Sequence, residues 1–439
     1  MDLVGVHEND LSARMALVST RRSAILATMA LAEDLSARGL IEHASADLRK
    51  ILSGKRTIYL GVDPSADSMQ AGNLVVVLLM KRLADAGHKI VLLVGGGTGM
   101  IGDPRESGER TLADAKVVAR NKKAIRSQLE RIIGKRITVV DNADWLLKLK
   151  LVDFLRDIGK HFTVNELVKR DIIKRRLETP DESISYTEFA YSLLQGYDFF
   201  HLFKTKGVDT QLGGSDQWTN LLSGVELIRR KLGKEAYAIT CPLITDAQGK
   251  KFGKSEGNAV WLDANKTSPF AFYQFWLTLP DEGLEKYLKA YTFMPLEDVS
   301  ALMEKHRVAP QDREAQETLA RAVTELVHGP AITAQVAAAS EVAYGKRELN
   351  ALSKEDIQVL TVEVPNTLYI KDIRSTAVTG GIVSSNNEFN RLVNSHGITI
   401  NNKLIQNSDE KINDSEFFHN IVILKKGKKN VWILKKNKG

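Results

Sequence analysis

Apolar and polar positions alternate along the chain in a way that predicts a parallel sheet first. Thr57 to Val62 is a β-rich run, Gly72 to Ala86 is apolar on a helical period, and Lys89 to Val94 is a second apolar run closed by Gly95-Gly96-Gly97. Strand, helix, strand with a turn after each predicts a βαβ unit covered by helices. Ala113 to Ile133 reads as a helix and Ile137 to Val140 as a third strand. Ligands of such sheets sit beyond the carboxyl ends of the strands, which gathers Asp63, Thr98, Asp103 and Asn142 at one crevice.

Further along, Phe189 to Phe203 reads as a helix, and Gly213-Gly214 reads as the opening of another that runs through Arg230. From Ser268 to His328 the pattern is helical up to Gly329-Pro330. Glu348 to Asn366 is polar with little helical periodicity and reads as a linker. The expected division is a helical extension over 1–40, a Rossmann-type α/β catalytic domain over 41–260, a helical domain over 261–345, a linker over 346–366 and a small α+β basic domain over 367–439.

The 439 residues, 43% hydrophobic and 26% charged, suffice for a sizeable core and several domains. Cys241 is the single cysteine, which excludes an internal disulfide framework and fits a reducing compartment, so a cytoplasmic location is expected. Arg21-Arg22 ahead of Ser23 to Ala32 has the outline of a leader, but Glu33-Asp34 follows at once and Asp2, Glu8 and Asp10 precede it, so a plain helix is expected. No apolar run reaches the roughly 18 to 20 residues that cross a membrane. Of the formal charge of +7, six units lie from Pro365 onward, where ten Lys and two Arg face six acids. A basic module on a nearly neutral body points to a polyanion, because clustered cations release counterions from phosphates.

Three segments carry candidate chemistry. Asp63-Pro64-Ser65-Ala66-Asp67-Ser68-Met69-Gln70-Ala71-Gly72-Asn73 lies between strand and helix, where free N–H groups suit phosphate. Lys250-Lys251-Phe252-Gly253-Lys254-Ser255 places lysines on a Gly-containing loop able to close over a triphosphate. Gln211-Leu212-Gly213-Gly214-Ser215-Asp216-Gln217-Trp218 is dense in polar groups that require partners when buried. Taken singly, the first also fits a structural turn, the second a solvated lysine turn, and the third a polar cluster whose partners need not be a ligand.

Together, and in order, they resemble class I aminoacyl-tRNA synthetases. The first segment is similar to their HIGH-type signature, and Lys251 to Ser255 is similar to their KMSKS-type loop. Gly95 to Pro104, Tyr191 to Asp198 and Gly213 to Trp218 resemble the bacterial-type tyrosyl-tRNA synthetases in particular. The resemblance implies that Tyr59 and Asp198 meet the phenolic hydroxyl of tyrosine, that Asp103, Tyr191 and Gln195 hold its α-ammonium group, and that Gln211 completes the pocket. It implies that Asp63, Gly72 and Asp216 meet the adenosine side of ATP, with Gln217 and Thr98 near the phosphate or carboxylate. Lys251 and Lys254 would stabilise pyrophosphate. Mg²⁺ would accompany ATP, with no dedicated protein metal site.

The chain departs from that signature at Gln70, where the family has its first His, and at Asn73 in the last position. Gln keeps an N–H donor of similar reach, so an adjusted rate is expected. The basic tail resembles the small RNA-binding fold, first named from a ribosomal protein, that ends the bacterial enzymes, which implies tRNA(Tyr) as partner. Arg391, Lys403, Lys425, Lys426, Lys428 and Lys429 are the candidate RNA contacts, whereas Asn386 and Asn390 stand where the family has basic residues. Leu151 to Ile173, with Phe154, Phe162 and Leu167, matches the region through which the family forms homodimers. Two rivals remain: a tryptophanyl enzyme, disfavoured by the Tyr59/Asp198 pair and the basic tail, and a catalytically weak RNA-binding protein on a synthetase body.

Overall fold

The computed structural model describes residues 29–104, 114–134, 137–245, 254–255, 258–427 and 430–437. The chain divides into two compact units, one of Met1–Leu262 with Glu282–Met303 and the other of Asp263–Asp281 with Glu304–Gly439.

The first unit is built on a six-stranded sheet of β1 (His43–Ala44), β2 (Thr57–Val62), β3 (Lys89–Val94), β4 (Ile137–Asp141), β5 (Thr210–Gly214) and β6 (Tyr237–Cys241), in the order β1-β6-β5-β2-β3-β4. β2 to β6 run parallel, and only the short β1 is antiparallel. Ile58, Leu60, Ile90, Leu92, Leu212 and Ile239 are buried, the near-continuous apolar signature of strands covered on both faces. Strand order reverses beside β2, so a crevice opens at the carboxyl ends of β2 and β5, where Tyr59 pairs in register with Gln211.

Helices fix that crevice. Leu74–Asp85 buries Leu74, Val77, Leu78 and Leu79 on one side. Tyr186–Lys206 is N-capped by Ser185, whose side chain accepts from Glu188 N–H, and ends at Gly207 with φ +65°. It packs against Trp218–Leu232 at Gly224, where a Cβ would lie 2.8 Å from Phe199, so the two helices approach this closely only with glycine there.

Three expectations change. Gly213-Gly214 closes β5, and the following helix begins at Trp218 after the 3₁₀ turn Ser215–Gln217. The polar stretch expected to be a linker contains the helix Lys354–Glu363, opened by a capping box between Ser353 and Asp356. The helical span from Ser268 is shared between the units. Arg38 donates to Lys289 O and Met294 O, and Arg82 donates to Thr292 O, which ties Glu282–Met303 into the first unit.

The second unit holds helices Pro269–Leu277, Glu314–His328 and Pro330–Ala343, and a five-stranded sheet. After the two-residue strands β7 (Lys254–Ser255) and β8 (Asn258–Ala259) come β9 (Asn366–Leu368), β10 (Ile398–Ile400), β11 (Lys403–Leu404), β12 (Ile421–Lys426) and β13 (Asn430–Lys435), ordered β11-β10-β12-β13-β9. Helices Ile373–Thr379 and Asn386–Asn394 close one core over it, with Phe389, Val422, Leu424 and Leu434 fully buried.

Candidate active site

A cavity of ≈ 390 Å³ opens at the carboxyl ends of β2 and β5. Tyr59, Asp63, Gln70, Gly72, Asn73, Thr98, Asp103, Tyr191, Gln195, Asp198, Gln211, Asp216 and Gln217 all line it, whereas Asn142 is not among the lining residues and joins the site through hydrogen bonds to Thr98 and Asp198. Such a volume suits a small ligand.

Its deep end holds a buried phenol and a buried carboxyl. Asp198 is 2% exposed, and its oxygens accept from Asn142 Nδ2 at 2.9 Å and from Trp145 Nε1 at 2.7 Å. Burial pushes this carboxyl up to about 7 against those two hydrogen bonds, so it is poised between neutral and charged forms at neutral pH. Burial and the neighbouring Asp198 both raise the phenol of Tyr59. Tyr59 Oη, Gln195 Oε1 and Gln211 Oε1 are buried and meet no hydrogen-bond partner among the described residues. Buried polar atoms left open inside a cavity are groups a ligand can satisfy.

A second carboxyl stands elsewhere in the cavity. Asp103 accepts from Gln217 Nε2 at 2.8 Å and from Asn220 Nδ2 at 3.2 Å, and burial raises it to about 6. Asp63 accepts from Thr98 Oγ1 at 2.6 Å and from Tyr191 Oη at 2.8 Å. The Thr98 hydroxyl also accepts from Asn142 Nδ2, so Thr98 links Asp63 to the Asp198 network, and it is itself buried. The glycine loop permits this crowding. A Cβ at Gly95 would lie 2.1 Å from Asp63 Oδ1, and one at Gly96 would lie 2.2 Å from Asp141 Oδ1.

The loop of Gln70 is tied to the strand-like residues after the lysine loop. Gln70 forms an antiparallel bridge with Trp261, Ala71 N–H donates to Val260 O at 2.8 Å, and Leu262 N–H donates to Met69 O at 2.9 Å. Asn73 Oδ1 accepts from Gln70 N–H at 3.1 Å, so its side chain steadies the turn that presents Gln70. Lys251 lies outside the described residues, and Lys254 is described only as a backbone position in β7.

The candidate RNA contacts diverge. Arg391 and Lys403 are exposed. Lys425 is 8% exposed and donates to Asn402 Oδ1, and Lys426 is paired with Glu388 at 2.8 Å. Lys428 and Lys429 lie outside the described residues. Near Leu151 to Ile173, Leu167 is buried within the chain, while Leu151, Val152 and Val164 are more than 60% exposed.

Three residues of the polar network escaped the reading of the sequence. Trp145 lies just past β4, in Asp141-Asn142-Ala143-Asp144-Trp145, where a strand end could have drawn attention to it. Asn220 is three residues beyond Gln217 and therefore on the same helical face. Arg170 donates to Asn220 Oδ1 at 2.9 Å and to Ser223 Oγ, and nothing in its surrounding sequence marks it. Among the described residues no three His, Cys, Asp or Glu side chains gather as a metal site, and no helix is long and apolar enough to cross a membrane.

Comparison with known proteins gives concordant results. A family model described as tRNA synthetases class I (W and Y) matches residues 53–345. The tyrosine–tRNA ligase of Lactococcus lactis subsp. lactis (strain IL1403) is 43% identical over 420 residues, covering 92% of this chain and all of that protein. The tyrosine–tRNA ligase of Anaeromyxobacter dehalogenans (strain 2CP-1 / ATCC BAA-258) is 40% identical, with 92% and 99% covered. Among solved structures, a C-terminally truncated mitochondrial tyrosyl-tRNA synthetase of Coccidioides posadasii superposes with a TM-score of 0.64 at 30% identity, over 76% of this chain and 99% of that one.

Proposed function

The chain belongs to the class I tRNA synthetases for tryptophan and tyrosine, and within that family we propose that its cavity reads tyrosine by its two polar ends. Its activity is that of a tyrosine–tRNA ligase: it activates tyrosine with ATP and charges tRNA. Tyr59 and Asp198 take the phenolic hydroxyl, Asp103 with Tyr191 and Gln195 takes the α-ammonium group, and Gln211 closes the pocket beside Tyr59. The observation that carries this is the open hydroxyl of Tyr59 in the same cavity as an Asp198 held rigid by Asn142 and Trp145. A phenol placed there gives the Tyr59 hydroxyl a partner and Asp198 a further donor, whereas phenylalanine leaves the Tyr59 hydroxyl unpaired. Tyrosine over phenylalanine in this enzyme family is a standard illustration of that rule, with discrimination of about 10⁵.

The tyrosine carboxylate then attacks the α-phosphorus of ATP, the bond to the bridging oxygen breaks, and pyrophosphate leaves with the electron pair. A terminal tRNA hydroxyl next attacks the tyrosyl carbonyl and AMP departs. Neither step needs a nucleophile from the protein; positioning and charge stabilisation lower the barrier. Asp63, Gly72 and Asp216 serve the adenosine side, with Gln217 and Thr98 near the reacting groups. Gln70 donates to a phosphate oxygen, steadied by Asn73, while Lys251 and Lys254 stabilise pyrophosphate. The ladder joining Met69–Ala71 to Val260–Leu262 supports this, because it ties the Gln70 turn to the segment that follows the lysine loop. Mg²⁺ would accompany ATP and would supply neutralising charge to its phosphates.

The basic 367–439 module grips tRNA(Tyr), chiefly through exposed Arg391 and Lys403. Two copies pair through the face bearing Leu151, Val152 and Val164, whose exposure supports an interface. The one described cysteine, Cys241, is a buried free thiol, which supports a cytoplasmic setting.

Amino-acid-dependent ATP–pyrophosphate exchange tests the reading. Tyrosine should drive exchange, with phenylalanine and tryptophan near background. Comparable exchange with phenylalanine would sink the pocket assignment, and an unchanged rate in Gln70→Ala would remove Gln70 from the phosphate.

A further inference from the structure

Behind Asp103 lies a chain of hydrogen bonds that begins at a donor-only guanidinium and ends at the acceptor carboxyl. Arg170 Nη1 donates to Asn220 Oδ1 at 2.9 Å. Asn220 Nδ2 donates to Asp103 Oδ1 at 3.2 Å and to Gln217 Oε1 at 3.1 Å. Gln217 Nε2 then donates to Asp103 Oδ2 at 2.8 Å. Each primary amide has an oxygen end and a nitrogen end of nearly the same shape, so either could face the carboxylate on steric grounds. A guanidinium has donors and no acceptor, and it keeps its proton. Asn220 must therefore turn its oxygen to Arg170, which turns its nitrogen to Asp103 and to Gln217 Oε1. That in turn leaves Gln217 only its nitrogen for Asp103.

We infer that Arg170 is a remote positioning residue for amino-acid recognition: it fixes the orientation of Asn220 and Gln217, so that each oxygen of Asp103 receives one amide N–H. The inference rests on the reading that Asp103 takes the substrate α-ammonium. Arg170 also donates to Ser223 Oγ, whose hydroxyl donates to Thr219 O at 3.0 Å, so the guanidinium is anchored on the same helix that carries Asn220. Without a donor-only group at 170, the acceptor-only carboxylate alone selects the Asn220 nitrogen, and Asn220 loses the contact that holds its amide in place. The carboxylate is then held less rigidly toward the ammonium.

The effect should fall on one end of the substrate. The test compares L-tyrosine, by its KM in ATP–pyrophosphate exchange, with 3-(4-hydroxyphenyl)propanoate, by its inhibition constant. The second ligand keeps the phenol and carboxylate but lacks the ammonium. In Arg170→Met the KM for tyrosine should rise about tenfold, the scale of a lost hydrogen bond to a charged group, while the inhibition constant of the analogue stays within about twofold. Arg170→Lys keeps a donor-only cation and should restore most of the tyrosine KM. Equal weakening of both ligands in Arg170→Met, an unchanged tyrosine KM, or an Arg170→Lys no better than Arg170→Met overturns the proposal. Asp103→Asn tells the two readings apart. If it weakens tyrosine alone while Arg170→Met does not, the ammonium assignment stands and the relay fails; if it weakens both ligands alike, the assignment itself fails.

Discussion

The cavity of the first unit and the basic sheet domain of the second use charge in opposite ways. In the cavity, three carboxyls are held by named donors: the buried Asp198 by Asn142 and Trp145, and the half-buried Asp103 and Asp63 by Gln217 with Asn220 and by Thr98 with Tyr191. Their orientation is fixed before a ligand arrives, which suits recognition of a small molecule atom by atom. In the basic domain the excess of lysine is visible from composition, yet Lys425 and Lys426 are engaged with Asn402 and Glu388, and the exposed cations are elsewhere. Net charge locates a polyanion-binding region; it does not say which side chains touch the polyanion.

The strongest way to break this comparison is to remove one region whole. Deleting 365–439 should lower tyrosylation of tRNA by at least about a thousandfold, given the salt-sensitive affinity that a set of phosphate contacts supplies, while pyrophosphate exchange is retained. Parallel loss of both activities would show that the regions are not separable. Next in size is Asp198→Ala. It leaves the Tyr59 hydroxyl and the Asn142 and Trp145 donors facing a gap, and should cut the preference for tyrosine over phenylalanine by about a hundredfold, read as the ratio of kcat/KM values. A preserved ratio would move phenol recognition elsewhere.

A smaller effect follows from the same buried carboxyl. Asp198 binds its proton up to about pH 7 in the fold and releases it near 4 when unfolded. The fold therefore holds more protons than the unfolded chain between those values, and stability falls as pH rises through the window. Asp103, raised to about 6, adds to the lower part of it. Urea midpoints of the ligand-free enzyme should drop from pH 5 to 7.5, and Asp198→Asn should flatten the part between pH 6 and 7, where one proton is worth up to about 1.4 kcal/mol per pH unit. An equal slope in the variant would mean that Asp198 is already charged.

How much of this was legible depended on whether the signal was local. β2 and β3 coincide with the runs read from the sequence, because strands covered on both faces write their burial directly into it. β5 was hidden, since Thr210-Gln211-Leu212 is too short a run to show a period and Gly213-Gly214 looks equally like a helix start. The helix Lys354–Glu363 was hidden because only Ile357 and Leu360 in it are buried, too few for an apolar stripe. In the cavity, most members were legible from motifs at strand ends, and Tyr191, Gln195 and Asp198 from the motif on the helix Tyr186–Lys206. The bonds among them were not: Trp145, Asn220 and Arg170 are 53, 117 and 50 residues from the partners they serve, distances that only the fold closes.

The finest test lies within the basic domain. An exposed lysine on phosphate releases about one counterion, so Lys403→Ala should weaken tRNA binding two- to threefold and lower the slope of log affinity against log salt by about one unit. Lys426 already spends its charge on Glu388 and on Ile382 O, and binding RNA would require giving up that pair. Lys426→Ala should therefore leave the salt slope unchanged, even if it costs some stability by freeing Glu388. Filter binding of tRNA(Tyr) across salt concentrations separates the two. A slope that changes for Lys426→Ala and not for Lys403→Ala would mean that the paired lysine, and not the exposed one, faces the RNA.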